Sequence, residues 1–301
     1  MTGDALLARI HEAPGDTAAR LVYADWLLER DEPRGELIHL QCKGELDARE
    51  QQRERGLLRA HAKRWLGPIS AITDVRSRDW DRGFLRGVRL ENGHFQEIRD
   101  AVGHPEWRMV RALDASCNVR ASELVVGPVM HELHTLTRLH PENLAGLAMS
   151  SSPLAIEELE IVQPDPVPPK LRGPWPGLPR LRVLGLGANA PDELAWLADV
   201  PIDRLTVQWL RHGELEQWLA ALGTTPWKLR AFGIGQQFVI ERDETGRFGK
   251  LTVRCHDAHD DGLISMLATF PPRSLTQLVL EGADELRRPS LMAAAAPALA
   301  R

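Results

Sequence analysis

The sequence predicts an α/β chain with an N-terminal helical domain at residues 1–66 and an irregular solenoid of about nine short parallel strands at residues 80–290. Two observations support this prediction. Before residue 66, apolar residues recur at the three- and four-residue spacing of amphipathic helices. After residue 80 they recur as a triplet, in which two apolar residues stand three apart and a third follows two positions later. The chain therefore changes from helical faces to repeated strands.

Composition and charge exclude several classes of protein. Of the 301 residues, 43% are hydrophobic and 26% charged, which is typical of a folded chain. The net charge of −5 argues against a nucleic-acid binder, because such proteins usually carry a basic surface that displaces counterions from phosphate. The start of the chain lacks a basic segment followed by an apolar one, and no long apolar window follows, so we expect a cytoplasmic bacterial protein without membrane contact. Cysteines 42, 117 and 255 form neither a zinc-finger spacing nor a disulfide framework.

Helix signals divide the first 66 residues. Asp16 is suited to cap the start of a helix, since its carboxylate can accept from free amides of the first turn. Pro33 is tolerated in the first turn of the next helix, and Lys43-Gly44 should break that stretch in two.

A known family resembles this N-terminal region. The run RLVYADWL at residues 20–27, followed by Pro33, by Glu36-Leu37-Ile38 and by Leu40-Gln41-Cys42, resembles the bacterial repeat-companion domain over residues 3–45. That module commonly precedes degenerate leucine-rich repeats, and the segment from Trp80 to Phe84 resembles the start of such repeats. The resemblance implies an architecture and no particular activity.

Asp25 and Trp26 within that run have two interpretations. An acid beside an aromatic residue is a common recognition element. The favoured interpretation is structural: Trp26 fills the helical core, and Asp25 pairs with Arg20 or Arg30. We also expect the helices to pack directly against the first repeat.

The triplets recur about every 24 residues, which is the spacing of leucine-rich repeats. The last two apolar residues of each triplet should point inward from a short strand, while the residue between them faces outward. Stacking of neighbouring repeats would then bury the apolar rows. The triplets are Leu85-Val88-Leu90, Val110-Leu113-Ala115, Leu133-Leu136 with a defective third place at Arg138, Ile156-Leu159-Ile161, Leu181-Leu184-Leu186, Ile202-Leu205-Val207, Leu229-Phe232-Ile234, Phe248-Leu251-Val253 and Leu275-Leu278-Leu280.

A second signature of such repeats is an asparagine three residues after the third apolar site, where its amide bonds backbone groups between turns. Asn118 and Asn189 occupy that place, and Gln237 and His256 stand at the same offset in later turns.

The segments between the triplets have patterns of their own. We expect helices near residues 95–99, 193–197, 214–219 and 261–267, a proline-rich loop at 164–179, a hairpin at 238–248, and a frayed or disordered tail after Leu291.

The most enzyme-like cluster is Cys255-His256-Asp257-Ala258-His259-Asp260-Asp261. It contains donors for a zinc ion or a thiol nucleophile, so a thiol- or metal-dependent hydrolase using Cys255, His256 and His259 is the alternative function. No fixed metal motif is matched, however, and the acids can simply cap a following helix. The run His131-Glu132-Leu133-His134 has one residue too few between glutamate and histidine for a zinc-protease motif. We therefore expect no catalytic residue, metal or cofactor.

The favoured function is a non-enzymatic scaffold or adaptor that binds a protein through the concave side of the solenoid. Mixed charges and small polar side chains on the outward strand positions suit a protein partner better than a phosphate backbone. The predicted partner-binding residues are Arg89, Glu91, Asp114, Thr137, Glu160, Thr206, Gln208, Thr252, Arg254 and Glu281.

Overall fold

A computed structural model gives the fold as mixed α/β. The chain divides into two compact units, Met1–Ile156 and Glu157–Arg301. None of the helices in the described residues is both long and apolar enough to cross a lipid bilayer. The structure describes residues 2–91, 95–116, 118–162, 174–186, 200, 202–207, 214–224, 229–235, 237–242, 246–255, 260–285 and 287–299.

Four helices occupy the N-terminal segment, as the sequence predicts. Asp16 caps the second helix by accepting from the amides of Ala18 and Ala19. The predicted break at Lys43-Gly44 separates the third helix from the fourth, which opens with a capping box between Asp47 and Glu50. The helices are α1 (Gly3–Glu12), α2 (Thr17–Leu28), α3 (Arg34–Cys42) and α4 (Ala48–Leu66).

A sheet follows α4 in the first unit. Its first two strands form an antiparallel hairpin, and the next two add in parallel. The hairpin turn is Arg82-Gly83, whose φ angles of 47° and 84° are the left-handed pair that a two-residue hairpin turn requires. The strands are β1 (Asp79–Asp81), β2 (Phe84–Arg89), β3 (Ala112–Asp114) and β4 (Thr135–Leu139).

The helices pack directly on this hairpin, as expected. Phe84 is 3% exposed and lies in one apolar cluster with Ile10, Tyr23 and Ile38. Trp80 packs against the neighbouring cluster, with its ring 5.9 Å from that of Trp65. The burial of these aromatic rings joins the helical segment to the start of the sheet.

Polar side chains of the helices also bond the backbone of the hairpin turn. Arg20 donates to the carbonyl oxygen of Arg82 at 3.2 Å, and Arg34 donates to that of Gly83 at 2.9 Å. The side-chain oxygen of Gln41 accepts from the amide of Gly83 at 2.6 Å. Burial, followed by the charge of Arg82, lowers the pKa of Arg20 to about 10. Three helical side chains therefore hold one two-residue turn.

The predicted partners of Asp25 are wrong. Asp25 pairs with His39 of α3, whose Nε2 lies 2.8 Å from the carboxylate. Arg20 points instead to the hairpin, and the Arg30 guanidinium lies 4.0 Å from the centre of the Trp26 ring. Trp26 itself is only partly buried at the edge of the apolar cluster.

The described residues contain eleven strands, not nine, and two of them are antiparallel additions. The nine apolar triplets coincide with nine strands, but β1 precedes them, and β9 lies between β8 and β10. The predicted hairpin near residues 238–248 is formed by β9 and β10, so β8, β9 and β10 run as an antiparallel meander. The remaining pairs of the second unit are parallel. Its strands are β5 (Glu158–Ile161), β6 (Val183–Leu186), β7 (Arg204–Val207), β8 (Ala231–Ile234), β9 (Phe238–Arg242), β10 (Phe248–Arg254) and β11 (Gln277–Glu281).

In most strands the residues that the triplets predict to point inward are buried. Leu159, Leu184, Leu205 and Leu251 are each at most 1% exposed. In β11, however, Leu278 and Leu280 are only half-buried. A strand with one pairing neighbour covers less of its apolar face, so the last triplet contributes least to the core.

Helices lie between the strands in the described residues. Three of the four expected helical segments are present; residues 193–197 are outside the described residues, as is most of the proline-rich stretch. The expected frayed tail is instead a helix that buries Leu291, Ala295 and Ala298. These helices are α5 (Phe95–Ala101), α6 (Ala121–Val125), α7 (Leu144–Ala148), α8 (Glu214–Thr224), α9 (Asp260–Leu267) and α10 (Arg288–Leu299).

Two asparagines connect segments of the first unit that follow successive strands. The side-chain amide of Asn118 donates to the carbonyl oxygen of Glu91 at 3.4 Å, as its repeat position predicts. Asn143, which the sequence analysis missed, is 1% exposed and donates to the carbonyl oxygen of Asn118 at 2.8 Å. Each buried amide thereby satisfies a backbone carbonyl about 25 residues earlier in the chain. Asn189 and His256 lie outside the described residues, and Gln237 is exposed.

Candidate functional site

The candidate site is the outward face of the sheet, and its register is seen separately in each unit. In the first unit, Arg89 of β2 lies beside Asp114 of β3, which lies beside Thr137 of β4. Their neighbours along the strands, including Val88, Leu113 and Leu136, are buried on the opposite side. The three predicted residues therefore form one row, with Glu91 exposed just beyond the end of β2.

Asp114 is the centre of this row. Its carboxylate accepts from Arg89 Nε at 2.9 Å and from Arg138 Nε at 2.7 Å, and it also accepts from the Ser116 amide. Burial alone would raise the pKa of Asp114, but the hydrogen bonds from Arg138 and Arg89 outweigh it, and the net pKa is lowered. The carboxylate is therefore held ionised between two guanidinium groups.

Arg138 belongs to the site, although the triplet pattern marks it only as a defective third place. The triplet pattern places it at the third inward position of its repeat. Leu139 is the buried residue instead, at 0% exposure, and Arg138 has a φ of 49°. This left-handed residue turns the backbone so that the guanidinium reaches Asp114, and the apolar position moves one residue along the chain.

In the second unit the central outward row is longer and contains two glycines. Glu160, Gly185, Thr206 and Gly233 are successive neighbours across β5 to β8. A Cβ at Gly185 would lie 3.1 Å from the side chain of Glu160, and one at Gly233 would lie 2.8 Å from Thr206. The side chains of Glu160 and Thr206 therefore occupy the space that a Cβ would take at Gly185 and Gly233.

The row continues through Val239 of β9, which the sequence analysis missed, to Thr252 of β10 and Val279 of β11. Two residues further along these last strands, Arg254 lies beside Glu281, with Nε 3.4 Å from the carboxylate. About half of each of these two side chains is exposed. Gln208 lies outside the described residues.

The cysteine–histidine cluster is described only in part. Cys255 is 1% exposed, and its Sγ lies 3.8 Å from the carbonyl oxygen of Val253. His256 and His259 lie outside the described residues. Among the side chains that the structure describes, no three histidine, cysteine or acidic residues are placed to hold a metal ion.

Comparisons with known proteins give no assignment. No protein-family model, no curated protein and no solved structure matches the chain.

Proposed function

We propose that the protein is a non-enzymatic scaffold that binds a protein partner in the cytoplasm through the outward face of its sheet. In this proposal residues 80–290 form an irregular leucine-rich-repeat-like solenoid, with a repeat-companion domain at residues 3–45. The observation that carries the proposal is the separation of two faces by strand register. The apolar rows are buried, and the outward row beside them, which is polar in the first unit and mixes polar residues with glycine and valine in the second, can contact a partner without disturbing the core.

The chemistry of the outward residues supports a protein partner. The row of the first unit has both signs of charge, since Asp114 lies between Arg89 and Arg138. In the second unit Arg254 and Glu281 again stand side by side. Alternating charges select a partner with complementary charges, whereas a phosphate backbone is bound by cations of one sign.

The hydrolase alternative gains no support from the position of its nucleophile. A thiol that attacks a substrate must be accessible and ionisable. Cys255 is buried, and its sulfur lies against the backbone carbonyl of Val253 in the strand that precedes it.

The test begins with an affinity pull-down from the native host and identification of the captured protein by mass spectrometry. Binding of that partner is then compared for Arg89→Glu with Arg254→Glu, for Cys255→Ser, and for a charge-matched control, Arg49→Glu with Arg288→Glu. The control arginines are exposed, lie on the helices α4 and α10, and belong to no strand. The first double variant should weaken binding about tenfold or more while changing stability by about 0.5 kcal/mol. Normal binding by it, together with loss of an activity in Cys255→Ser, would favour the hydrolase.

A further inference from the structure

A groove separate from the outward face of the sheet lies between α4 and the segment at residues 67–80. It has a volume of about 680 Å³, which is within the usual size of ligand sites. Leu58, Val75 and Trp80 supply apolar surface to its walls. Val75 is 70% exposed, so its apolar side chain is accessible to a ligand in the groove.

Four cations line the same groove, and none of the described residues of the lining is a carboxylate, although the charges of Glu91 and Asp74 act on one of the cations, Arg78. Arg55, Arg59 and Lys63 come from α4, and Arg78 comes from the opposite wall. Within a chain of net charge −5, this concentration of positive charge is local. A groove whose cations share one low-dielectric wall attracts anions more strongly than scattered surface charges do.

The cations of α4 differ in whether the protein already neutralises them. Arg53 pairs with Glu36, and Arg64 pairs with Glu32, on other sides of the helix. By contrast, Arg55, Arg59 and Lys63 are exposed and have no ion pair among the described residues. Three cations of α4 that have no ion pair among the described residues therefore line the groove; Arg49 is likewise exposed and without such a pair, but it is not part of the lining.

Their spacing constrains the ligand. Residues 55, 59 and 63 follow one another at four-residue steps on α4, so their Cα atoms are separated by about 6 Å per step along the helix axis. Carboxylates two residues apart on an extended peptide are separated by about 6.6 Å, with the intervening side chain on the opposite face. An extended acidic segment can thus match the cations while its alternate apolar residues enter the groove.

The opposite wall is already fixed. Arg78 donates through Nε and Nη2 to the Thr73 hydroxyl and through Nη2 to the carbonyl oxygens of Ser70 and Thr73. Trp80 packs on its inner side against Trp65. A site with one rigid wall loses little entropy when a ligand binds.

We propose that this groove binds an acidic, apolar-containing peptide segment of a partner protein, with its carboxylates on Arg55, Arg59 and Lys63 and its apolar side chains against Leu58, Val75 and Trp80. The site uses no residue of the outward sheet row, so a negative result for one proposal does not contradict the other.

The experiment measures fluorescence polarisation of a short labelled peptide in which glutamate and leucine alternate, against the full chain. A peptide with lysine in place of glutamate is the ligand control. The glutamate peptide should bind, its Kd should increase with salt because the pairs are exposed, and the lysine peptide should not bind.

Two variants of α4 locate the binding. Arg59→Glu with Lys63→Glu should raise the Kd of the glutamate peptide about tenfold or more, whereas Arg49→Glu, on the same helix but outside the groove, should change it less than about twofold. Circular dichroism melting confirms that each variant is folded. Val75→Ser, at a mostly exposed position, should also weaken binding if apolar contact contributes.

Several results would overturn the proposal. These are absence of glutamate-peptide binding up to about 1 mM, equal binding of the lysine peptide, or equal effects of the Arg59/Lys63 and Arg49 variants. A labelled single-stranded oligonucleotide and phosphatidylserine vesicles are assayed in parallel. If either binds more tightly than the glutamate peptide and loses binding in Arg59→Glu with Lys63→Glu, the groove accepts a nucleic acid or a lipid surface, and the peptide assignment is wrong.

Discussion

The first hairpin and the strands of the second unit are attached to their neighbours in different ways. At the Arg82-Gly83 turn, the side chains of Arg20, Arg34 and Gln41 bond individual backbone atoms. In the second unit, strands β5 to β8 are joined by parallel backbone pairing and by rows of fully buried aliphatic side chains.

The difference has a consequence for how strictly each part of the sequence is constrained. A directional hydrogen bond to a named backbone atom requires one residue type at one position. A buried aliphatic position accepts several residues of similar volume, as the mixture of Leu, Ile, Val and Phe in the triplets illustrates. The helical residues that bond the turn are therefore constrained one by one, whereas the strands of the second unit share only an apolar pattern.

The largest loss in the free energy of unfolding is expected when a charge is placed in the buried apolar rows. Leu184 is 0% exposed at the centre of β6, so Leu184→Asp should cost about 4 kcal/mol or more, because a carboxylate loses its hydration without gaining a partner. Thermal melting followed by circular dichroism measures the loss. Val183→Asp, one residue earlier and only half-buried, is the matched control and should have a much smaller effect. Similar melting curves for the two variants would show that the inward register is wrong.

Removal of the Arg34 guanidinium, which bonds the hairpin turn, should give the next largest loss in the free energy of unfolding. Arg34 bonds Gly83 and forms a two-pronged pair with Glu106, at 2.7 and 2.6 Å. Burial opposes the charge of Arg34, but the Glu106 carboxylate outweighs it and raises the pKa of the guanidinium. Arg34→Met should cost about 3–5 kcal/mol, because Glu106 would remain buried without its partner.

The matched variant for this pair is Arg34→Met combined with Glu106→Leu, measured by urea unfolding. It should be more stable than Arg34→Met alone, because no carboxylate then remains unpaired in a buried site. If Arg34→Met alone unfolds at the same urea concentration as the unchanged protein, the hydrogen bond from Arg34 does not stabilise the turn.

A smaller effect is expected for a methyl group at the turn itself. Gly83 has a φ of +84°, and a Cβ there would lie 2.2 Å from Ile38 Cγ1. Gly83→Ala should therefore combine about 1 kcal/mol of backbone strain with about 1–3 kcal/mol of overpacking. Gly44→Ala is the control in the same unit, since Gly44 has a φ of +89° and open space around its Cα. Equal destabilisation of the two variants would mean that Ile38 moves aside without cost.

The smallest effect concerns the outward row and depends on pH. The pKa of Asp114 is lowered in the folded protein, so its ionisation stabilises the fold above the unfolded pKa, and this contribution is lost as the pH falls through the folded value. Asp114→Asn should cost about 1 kcal/mol at pH 7, and the difference from the unchanged protein should shrink below about pH 4. Urea unfolding across pH 3–7 tests this; a difference that grows with acidity would contradict it.

The sequence by itself determined the periodic features of this protein. Helical spacing located α1 to α4, and the triplets located nine strands and the inward side of all but the last. This succeeded because a buried face imposes its period on the residues that form it. Arg89, Asp114 and Thr137 could be placed in one row for the same reason, since residues between two inward positions must face outward.

Only the tertiary structure decided which side chains meet. Strand β1 has no triplet and pairs antiparallel with β2, β9 of the predicted hairpin also pairs with β8, and the left-handed backbone of Arg138 displaced the apolar position to Leu139. The partner of Asp25, the bonds to Gly83 and the groove of α4 depend on residues far apart in the chain. Periodicity reports which face a residue occupies, whereas its contacts depend on how separate elements are brought together, and no local pattern records that.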